Sequence, residues 1–265
     1  MSEPLLHPTN EIMTIMSNKQ HAIGVIPARY GSSRFPGKVL AEIAGKPMIQ
    51  WVYEQAVQSK MLDELFVAVD DPRVLECVEG FGGKAVMTSA NHQSGTDRIA
   101  EAVEHIPADI IVNIQGDQPL IDPRMIDEAV QPMMEDSTVQ MSTLKIKIGE
   151  EDYADPAVVK VVVDENDFAL YFSRSLIPYS RDKVAVNVYE HVGLYVYRKE
   201  FLLQISVMPQ SYLEKIEMLE QLRVLEGGYK IKVIETKSKH AAGVSVDTKD
   251  DLARVEKLMK DMNLA

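Results

Sequence analysis

The stretch from Ala22 to Lys38 constrains the fold most, because a buried strand there runs directly into a polar, cationic loop. Residues 22–26 form a short apolar run with β-branched side chains, as expected for a strand inside a parallel sheet. Proline has no N–H for a ladder, so Pro27 is expected to end this strand. Open α/β sheets bind ligands at the carboxyl ends of their strands. The loop after Pro27 is therefore the first candidate for a binding site.

This loop combines small residues with cations. Its small residues, which allow backbone N–H groups to approach a ligand closely, are Gly31, Ser32, Ser33 and Gly37. Its cations are Arg29, Arg34 and Lys38. The stretch matches neither the Walker pattern nor the Gly-x-Gly-x-x-Gly fingerprint. Ordinary surface charge is the alternative interpretation of the three cations, but their place after a buried strand favours a nucleoside triphosphate site.

The rest of the chain predicts an α/β fold with a doubly wound, mostly parallel, Rossmann-like sheet. In the first half, helical patterns separate short apolar strands at residues 65–69, 85–87 and 109–114. In the second half, strands dominate and predict a mixed or antiparallel extension of the sheet, at residues 139–147, 158–163, 168–172 and 191–197. No Gly/Ser-rich linker occurs, so residues 22–265 are expected to form a single domain after a disordered extension over residues 1–21.

Composition excludes several classes of protein. The formal charge of −12 argues against a nucleic-acid-binding protein, which would show a basic field. The single cysteine, Cys77, gives no sign of an oxidising compartment, and its surroundings suggest a small core residue. No apolar run approaches the ~18 residues of a membrane span, and the first twenty residues lack the apolar region of a signal peptide. A cytoplasmic protein without a membrane or nucleic-acid partner is expected.

Two loops after later strands carry candidate residues. The polar loop over residues 88–98 follows a strand, so it could recognise a base or could simply be a surface loop; Thr96 is expected to cap the following helix. Asp117 lies on a glycine turn at the end of the strand over residues 109–114, where a carboxylate is well placed for Mg²⁺. The alternative is a turn aspartate bonded to its own backbone. Asp247 could be no more than a cap of the terminal helix, where Thr248 and Asp251 fit a capping box.

The second half adds polar groups whose function the pattern alone leaves open. Arg174 could clamp a carboxylate through its bidentate guanidinium. His191 and Tyr195 are expected to share one face of a strand, because four residues separate them and the side-chain period of a strand is two. They could be a partly buried pair in the core, or they could contact a ligand. A helix over residues 213–225 is expected to bury Ile216, Leu219 and Leu222. Its polar residues, for which a solvated face is the usual explanation, are Glu214, Glu217, Glu220 and Gln221.

Several motifs together carry a resemblance that extends from about residue 22 to residue 258. They are Pro-Ala-Arg-Tyr-Gly-Ser-Ser-Arg-Phe-Pro-Gly-Lys, His-Gln-Ser-Gly-Thr-Asp-Arg, Val-Asn-Ile-Gln-Gly-Asp, Ala-Leu-Tyr-Phe-Ser-Arg and Glu-Met-Leu-Glu-Gln-Leu-Arg. In this combination the chain resembles the 3-deoxy-manno-octulosonate (KDO) cytidylyltransferase family of sugar nucleotidyltransferases. Such enzymes transfer a cytidylyl group from CTP to an acidic eight-carbon sugar and release pyrophosphate, in the synthesis of lipopolysaccharide.

The resemblance implies roles for residues at the motif positions. The implied catalytic residues are Arg34, Lys38, Asp117 and Asp247, the two aspartates as ligands of Mg²⁺. The implied nucleotide contacts are Arg29, Ser32, Ser33, Arg34, Lys38, Ser94, Gly95 and Arg98. The implied sugar contacts are Gln115, Arg174, His191, Tyr195, Glu220 and Gln221. Members of the family are typically homodimers, so the strand-rich second half is expected to form the contact between subunits.

Two departures from the family pattern leave the exact sugar open. Gln118 replaces the usual glutamate after Gly-Asp, which removes a negative charge beside the expected metal. The last motif, Gly-Val-Ser-Val-Asp-Thr, is longer than usual. Activation of 8-amino-KDO or of another acidic sugar such as sialic acid is the first alternative. A nucleotide-binding scaffold without catalysis is a more distant one, because both aspartates and all three cations are present.

Overall fold

The computed structural model describes residues 20–31, 35–182, 184–238 and 245–262. Its first half alternates strands and helices in the order β1 (Ala22–Ala28), β2 (Glu42–Ile43), β3 (Lys46–Pro47), α1 (Met48–Ala56), β4 (Glu64–Val69), α2 (Pro72–Gly80), β5 (Ala85–Met87), α3 (Gly95–Val103), β6 (Ile110–Asn113) and α4 (Pro123–Glu135). Its second half contains β7 (Met141–Lys147), β8 (Lys160–Val163), β9 (Ala169–Ser173), β10 (Tyr189–Arg198), α5 (Lys199–Ser206), α6 (Tyr212–Glu217), α7 (Gln221–Glu226), β11 (Lys232–Glu235) and α8 (Lys249–Asp261).

The central sheet of the described chain has the strand order β11-β7-β10-β6-β1-β4-β5. Strands β6, β1, β4 and β5 are parallel to one another. Strand β10 runs antiparallel to both β6 and β7, and it also pairs with β8, which pairs with β9. The mostly parallel sheet with an antiparallel extension in the second half confirms the predicted fold class.

Helices cover both faces of this sheet, as the alternating pattern predicts. One apolar cluster packs α1, α2, α4 and α8 against the sheet. The other packs α3, α5 and α7 against the opposite face. Burial of these two clusters is the main favourable contribution to folding, because stabilisation scales with the apolar area removed from water. Within the described residues, no helix is long and apolar enough to cross a bilayer.

The first strand differs from its prediction, because β1 continues through Pro27 to Ala28. Pro27 pairs with Ala68 of β4. The ladder between β1 and β6 has already ended at the pair Val25 and Asn113, so from there on no strand of the described chain pairs with that side of β1. A residue without an N–H is tolerated on such an open side.

The predicted helix over residues 213–225 is also wrong in one respect, because it is two helices, α6 and α7. Met218 interrupts it with a left-handed backbone at φ 54°. Because of this break, the predicted apolar face does not continue from α6 to α7. Ile216 of α6 is 66% exposed, whereas Leu219 and Leu222 are buried. Helix propensity alone does not show such a break, because Met favours a continuous helix.

The beginning of the described chain is bonded to the sheet. Arg198 donates to the side-chain oxygen of Gln20 at 2.8 Å. His21 donates its backbone N–H to Asp109 at 2.7 Å, and its Nδ1 lies 2.8 Å from the carbonyl oxygen of Pro107. These two residues belong to the predicted extension over residues 1–21, of which residues 1–19 lie outside the described part of the chain.

Candidate active site

Two adjoining cavities lie at the carboxyl ends of β1 and β6. The first, of about 310 Å³, is lined by Pro27, Arg29, Lys38, Val39, His92, Gln93, Ser94, Gly95, Arg98, Gln115, Gly116, Asp117 and Asp247. The second, of about 810 Å³, has walls that include Gln115, Asp117, Gln118, Asp152, Asp155, Glu190, His191, Gly193, Tyr195, Gln221, Ser245 and Arg254. Gln115 and Asp117 line both cavities, so these two residues mark the place where ligands in the two cavities would meet.

Asp117 and Asp247 lie side by side at this junction. The ammonium of Lys38 donates a hydrogen bond to each carboxylate, at 3.0 Å to Asp117 and 3.1 Å to Asp247. The backbone also joins the two segments, because the N–H of Val246 donates to the carbonyl oxygen of Asp117 at 2.9 Å. The structure therefore brings together three residues that are widely separated in the sequence.

The turn that carries Asp117 requires a glycine before it. A Cβ atom on Gly116 would lie 2.8 Å from the carbonyl oxygen of Pro27, a backbone atom that cannot move aside easily. The N–H of Ile114 donates to the carbonyl oxygen of Val25 at 3.0 Å, which holds the end of β6 against β1. This close approach of two backbones places Asp117 beside the loop after β1.

All five of the predicted nucleotide contacts that the structure describes line the first cavity. They are Arg29, Lys38, Ser94, Gly95 and Arg98. Ser32, Ser33 and Arg34 lie outside the described residues. The cap of α3 differs from its prediction: Ser94, not Thr96, accepts a hydrogen bond from the N–H of Asp97, at 3.1 Å. The amino end of α3 thus lines the first cavity, where its free N–H groups and dipole favour an anion.

Arg98 lines the first cavity but is almost fully buried, and its guanidinium is hydrogen-bonded to other side chains. Its guanidinium donates to Asp70 at 2.9 Å and to the hydroxyl of Thr88 at 2.7 Å. Asp70 also accepts from the backbone N–H of Tyr30 at 2.8 Å. Arg98 therefore connects helix α3, through Asp70, to the loop that follows β1.

Four of the predicted sugar contacts line the second cavity: Gln115, His191, Tyr195 and Gln221. The rings of His191 and Tyr195 are 5.3 Å apart between centroids, which confirms that the two residues share a face of β10. Burial lowers the pKa of His191 to about 3, so its imidazole is neutral at physiological pH. Burial, together with the nearby Glu220, raises the pKa of Tyr195, so its phenol keeps its proton.

Glu220 and Gln221 lie together at the start of α7. Burial raises the pKa of Glu220, against the effect of a hydrogen bond from the hydroxyl of Thr96. Glu220 shares a small crevice with Tyr195 and Gln221. Gln221 is 4% exposed, and its Nε2 has no hydrogen-bond partner within the described part of the chain. A buried amide donor without a partner is uncommon in folded proteins, and a bound ligand would satisfy it.

Arg174 is not at the position expected for a carboxylate clamp, because it lines neither cavity. Its guanidinium donates to three backbone carbonyl oxygens: those of Glu217 at 2.8 Å, Pro156 at 2.9 Å and Met218 at 3.4 Å. These bonds hold the turn between α6 and α7 against the end of β9. Of the six predicted sugar contacts, Arg174 is thus the one that serves the protein backbone here.

The donor atoms at the junction fit a hard divalent cation. Carboxylate oxygens are the ligands that Mg²⁺ prefers, and one ammonium already contacts the carboxylates of both Asp117 and Asp247. Across the described ranges, no group of three or more His, Cys, Asp or Glu side chains could hold a metal ion. Mg²⁺ usually binds through one or two protein carboxylates and completes its shell with water and substrate phosphates, so a pair of aspartates is sufficient.

Comparison with known proteins agrees with this geometry. A family model described as cytidylyltransferase matches residues 23–231, most of the chain. The chain belongs to the cytidylyltransferase family. It is 52% identical over 249 residues to the 3-deoxy-manno-octulosonate cytidylyltransferase of Geotalea daltonii, covering 89% of this chain and 97% of that one. It is 50% identical over 248 residues to the enzyme of the same name from Geobacter sulfurreducens, covering 89% and 98%.

Solved structures extend the comparison. The structure of CMP:2-keto-3-deoxy-manno-octonic acid synthetase complexed with CTP superimposes with a TM-score of 0.88 at 46% identity, over 91% of this chain and 99% of that one. The 4-diphosphocytidyl-2C-methyl-D-erythritol synthase of Anaerococcus prevotii shares the fold, with a TM-score of 0.63 at 11% identity, over 92% of this chain and all of that one. As a cytidylyltransferase, the protein is a nucleotidyltransferase enzyme with a Rossmann-like fold.

Several residues of the cytidylyltransferase site were not among the individual residues predicted from the sequence. His92 and Gln93 line the first cavity, in the loop over residues 88–98 that was a candidate for base recognition. Asp152, Asp155 and Glu190 line the second one, together with Arg254. The three acidic residues lie in polar stretches or on a strand with no motif around them, so only the folded structure brings them to one wall.

Proposed function

We propose that the protein transfers the cytidylyl group of CTP to KDO and releases pyrophosphate. The observation that carries this proposal is the position of Asp117, in the wall shared by the two cavities and beside Asp247. The names of the relatives and the CTP in the 46%-identical structure support CTP and KDO as the substrates. The first cavity is then assigned to CTP and the second one to the sugar.

The reaction forms one P–O bond and breaks another. The anomeric hydroxyl oxygen of the sugar attacks the α-phosphorus of CTP, while the bond from that phosphorus to the bridging oxygen of the β-phosphate breaks. Pyrophosphate leaves with the electron pair, and the hydroxyl proton passes to solvent. Such a transfer depends on positioning and on neutralising charge rather than on a covalent enzyme intermediate. We assign these tasks to the residues around the junction.

In the first cavity, Arg29 and Lys38 and the amino end of α3 form the positive surroundings that a triphosphate requires. Lys38 has a second task, because its ammonium neutralises Asp117 and Asp247, which would otherwise repel the phosphates. Arg34 keeps its predicted role in phosphate binding, although it lies outside the described residues. Arg98 positions the loop after β1 through Asp70 rather than binding phosphate with a free guanidinium.

In the second cavity, neutral groups orient the sugar. His191 is a neutral imidazole with its Nε2 2.9 Å from the hydroxyl of Thr143, and Tyr195 is a protonated phenol. Gln115 lies at the junction, where the reacting hydroxyl must be placed. The unpartnered amide of Gln221 offers a donor to the sugar. These groups can exchange hydrogen bonds with hydroxyls without adding charge near the departing pyrophosphate.

We also propose that Asp117 and Asp247 hold Mg²⁺. The carboxylate donor set and its position beside the first cavity support this assignment. When bound, a divalent cation would polarise the α-phosphate and lower the pKa of the attacking hydroxyl.

A homodimer in the cytoplasm that supplies lipopolysaccharide synthesis completes the proposal. Exposed apolar side chains support the dimer. Leu170 of β9 is 62% exposed, Ile216 of α6 is 66% exposed, and Met218, directly after α6, is 76% exposed. A hydrogen bond of 2.7 Å from Ser173 to Glu217 joins the end of β9 to the end of α6. The mass in solution from light scattering tests the dimer directly.

The substrate is tested by presenting CTP and Mg²⁺ with KDO, 8-amino-KDO and sialic acid in separate reactions and measuring pyrophosphate. We expect the highest kcat/KM with KDO and no release without a sugar. A higher kcat/KM with one of the other sugars would show that this sugar, and not KDO, is the preferred substrate. CTP binding without pyrophosphate release from any of the three would instead indicate a scaffold, and Asp117→Asn serves as the inactive control.

A further inference from the structure

One wall of the second cavity is formed by three carboxylates, those of Asp152, Asp155 and Glu190, which we call the acidic wall. Glu190 lies on β10, opposite Lys160 of β8 in the antiparallel ladder. Asp155 is held at the start of β8, because its carbonyl oxygen accepts a hydrogen bond of 2.5 Å from the Lys160 ammonium. Asp152 belongs to the short turn of helix over Glu150–Asp152. Strand β10 therefore contributes one carboxylate, and the segment between β7 and β8 contributes the other two.

The acidic wall has no cation bonded to it within the described ranges. Lys160 is fully buried nearby, but its ammonium donates to the backbone oxygens of Asp155 and Arg174. The carboxylate of Glu190 forms neither an ion pair nor a hydrogen bond with a described residue. Arg254 lines the same cavity without an ion pair to the wall. The three carboxylates can therefore accept hydrogen bonds from a ligand.

A separate observation points to a ligand in this cavity. The Nε2 of Gln221 is buried and has no hydrogen-bond partner among the residues that the structure describes, although Gln221 lines the same cavity as the acidic wall. Leaving a buried amide donor unsatisfied costs free energy. A molecule with both acceptors and donors, such as a polyhydroxylated sugar, would satisfy Gln221 and the acidic wall together.

Charge determines which end of the sugar faces the acidic wall. An acidic sugar carries a carboxylate, which three protein carboxylates would repel. The end that faces the wall must therefore be the one without negative charge, and it must present hydrogen-bond donors, since carboxylate oxygens accept hydrogen bonds. Hydroxyl and ammonium groups both meet this requirement.

We propose that Glu190, together with Asp152 and Asp155, determines the specificity of the sugar site by accepting hydrogen bonds from a hydroxyl or ammonium group on the uncharged or cationic tail of the sugar. This inference rests on the proposed function and deepens it. Glu190 acts on sugar affinity and selectivity, and it takes no part in the transfer of the cytidylyl group. The cost of keeping a carboxylate partly buried beside two others is consistent with a functional use.

The test compares the kinetics of Glu190→Gln with those of the unmodified protein at pH 8, above the pKa of about 7 to which burial raises Glu190. KDO and 8-amino-KDO serve as the hydroxyl and ammonium forms of the tail. Glutamine keeps the shape and removes the charge. We expect the KM for the sugar to rise about 10-fold, with kcat and the KM for CTP within about 2-fold of the unmodified protein. A larger loss with the amine than with KDO would identify ammonium as the preferred partner. An equal loss would identify hydroxyl.

Two further variants complete the design. Asp155→Asn is expected to raise the sugar KM in the same way, and Glu151→Gln, at an exposed neighbour that does not line the cavity, is expected to change nothing. Unchanged KM values for the sugar in both Glu190→Gln and Asp155→Asn would overturn the inference while leaving the proposed function intact. An increase in the KM for CTP as large as that in the KM for the sugar would do the same. An unmodified protein that turns over none of the sugars would overturn both.

Discussion

Asp117 and Asp247 lie beside one another because each accepts a hydrogen bond from the same Lys38 ammonium, at 3.0 and 3.1 Å. The backbone bond of 2.9 Å from Val246 to the carbonyl oxygen of Asp117 fixes the approach of the two segments. The segment before helix α8 thus completes a site that the loops after β1 and β6 begin. All of the proposed chemistry depends on this meeting of two carboxylates.

Removal of either carboxylate is expected to reduce catalysis strongly. Asp117→Asn and Asp247→Asn should each lower kcat by at least ~100-fold, because a lost metal ligand removes several kcal/mol of transition-state stabilisation. Release of pyrophosphate from CTP in the presence of KDO measures this. Asp250→Asn, at an exposed position in the first turn of α8, is the matched control and should retain full activity. Near-normal turnover of either site variant would exclude that residue as a ligand.

Glycine at position 116 is expected to be essential to the position of Asp117. The added Cβ in Gly116→Ala would lie 2.8 Å from the Pro27 carbonyl oxygen, so the two loops must separate. We expect a loss of about 1–3 kcal/mol in the free energy of unfolding and at least ~10-fold in kcat. Gly80→Ala is the control, since nothing lies within 4 Å of its added Cβ. Equal activity of the two variants would show that the loops do not need this close contact.

Glu190 is expected to make stability depend on pH. Burial, with a contribution from Asp152 and Asp155 that exceeds the opposing effect of Lys160, raises the pKa of Glu190 to about 7 from its ordinary value of 4.5. The folded protein therefore loses stability as pH rises from about 4.5, where Glu190 of the unfolded chain ionises, to about 7, where Glu190 of the folded protein ionises. Glu190→Gln should raise Tm at pH 8 and leave it nearly unchanged at pH 4. Equal shifts at both pH values would contradict the raised pKa.

The ion pair between Glu214 and Arg223 is expected to be important for folding. Both side chains are buried, and two hydrogen bonds of 2.6 and 2.9 Å join them. Glu214→Gln leaves the Arg223 charge buried without its counter-ion, which should cost about 3 kcal/mol of unfolding free energy in denaturant titrations. Glu256→Gln, which breaks the exposed pair with Lys260, should cost less than ~0.5 kcal/mol. Similar costs for the two variants would refute the importance of the buried pair.

Much of the fold could be predicted from the sequence because apolar runs and turn residues agreed locally. The strand at residues 85–87 was predicted with its observed bounds, and the capping box of Thr248 and Asp251 is confirmed. The errors have tertiary causes. The open side of β1 tolerates Pro27, and a left-handed Met218 divides the predicted helix over residues 213–225. Neither cause is visible in local propensity.

In the active site, too, motifs predicted some residues, whereas others depend on the folded structure. The prediction that Asp117 and Asp247 meet came from the resemblance to the family, which gives both aspartates to one Mg²⁺. Arg174 also belongs to a motif, but the structure assigns its guanidinium to backbone oxygens. Glu190 belongs to none, since its role follows only from the cavity that its strand borders. Motifs identify residues that chemistry requires, whereas specificity depends on neighbours that the fold brings together.

The most direct test of the site is the position of a divalent cation. A crystal grown with CTP and Mn²⁺, measured at the manganese absorption edge, would show the ion as an anomalous peak. We predict a peak within coordination distance of the carboxylates of both Asp117 and Asp247. A peak away from both aspartates, or one that persists in Asp117→Asn and Asp247→Asn crystals, would contradict the proposed active site.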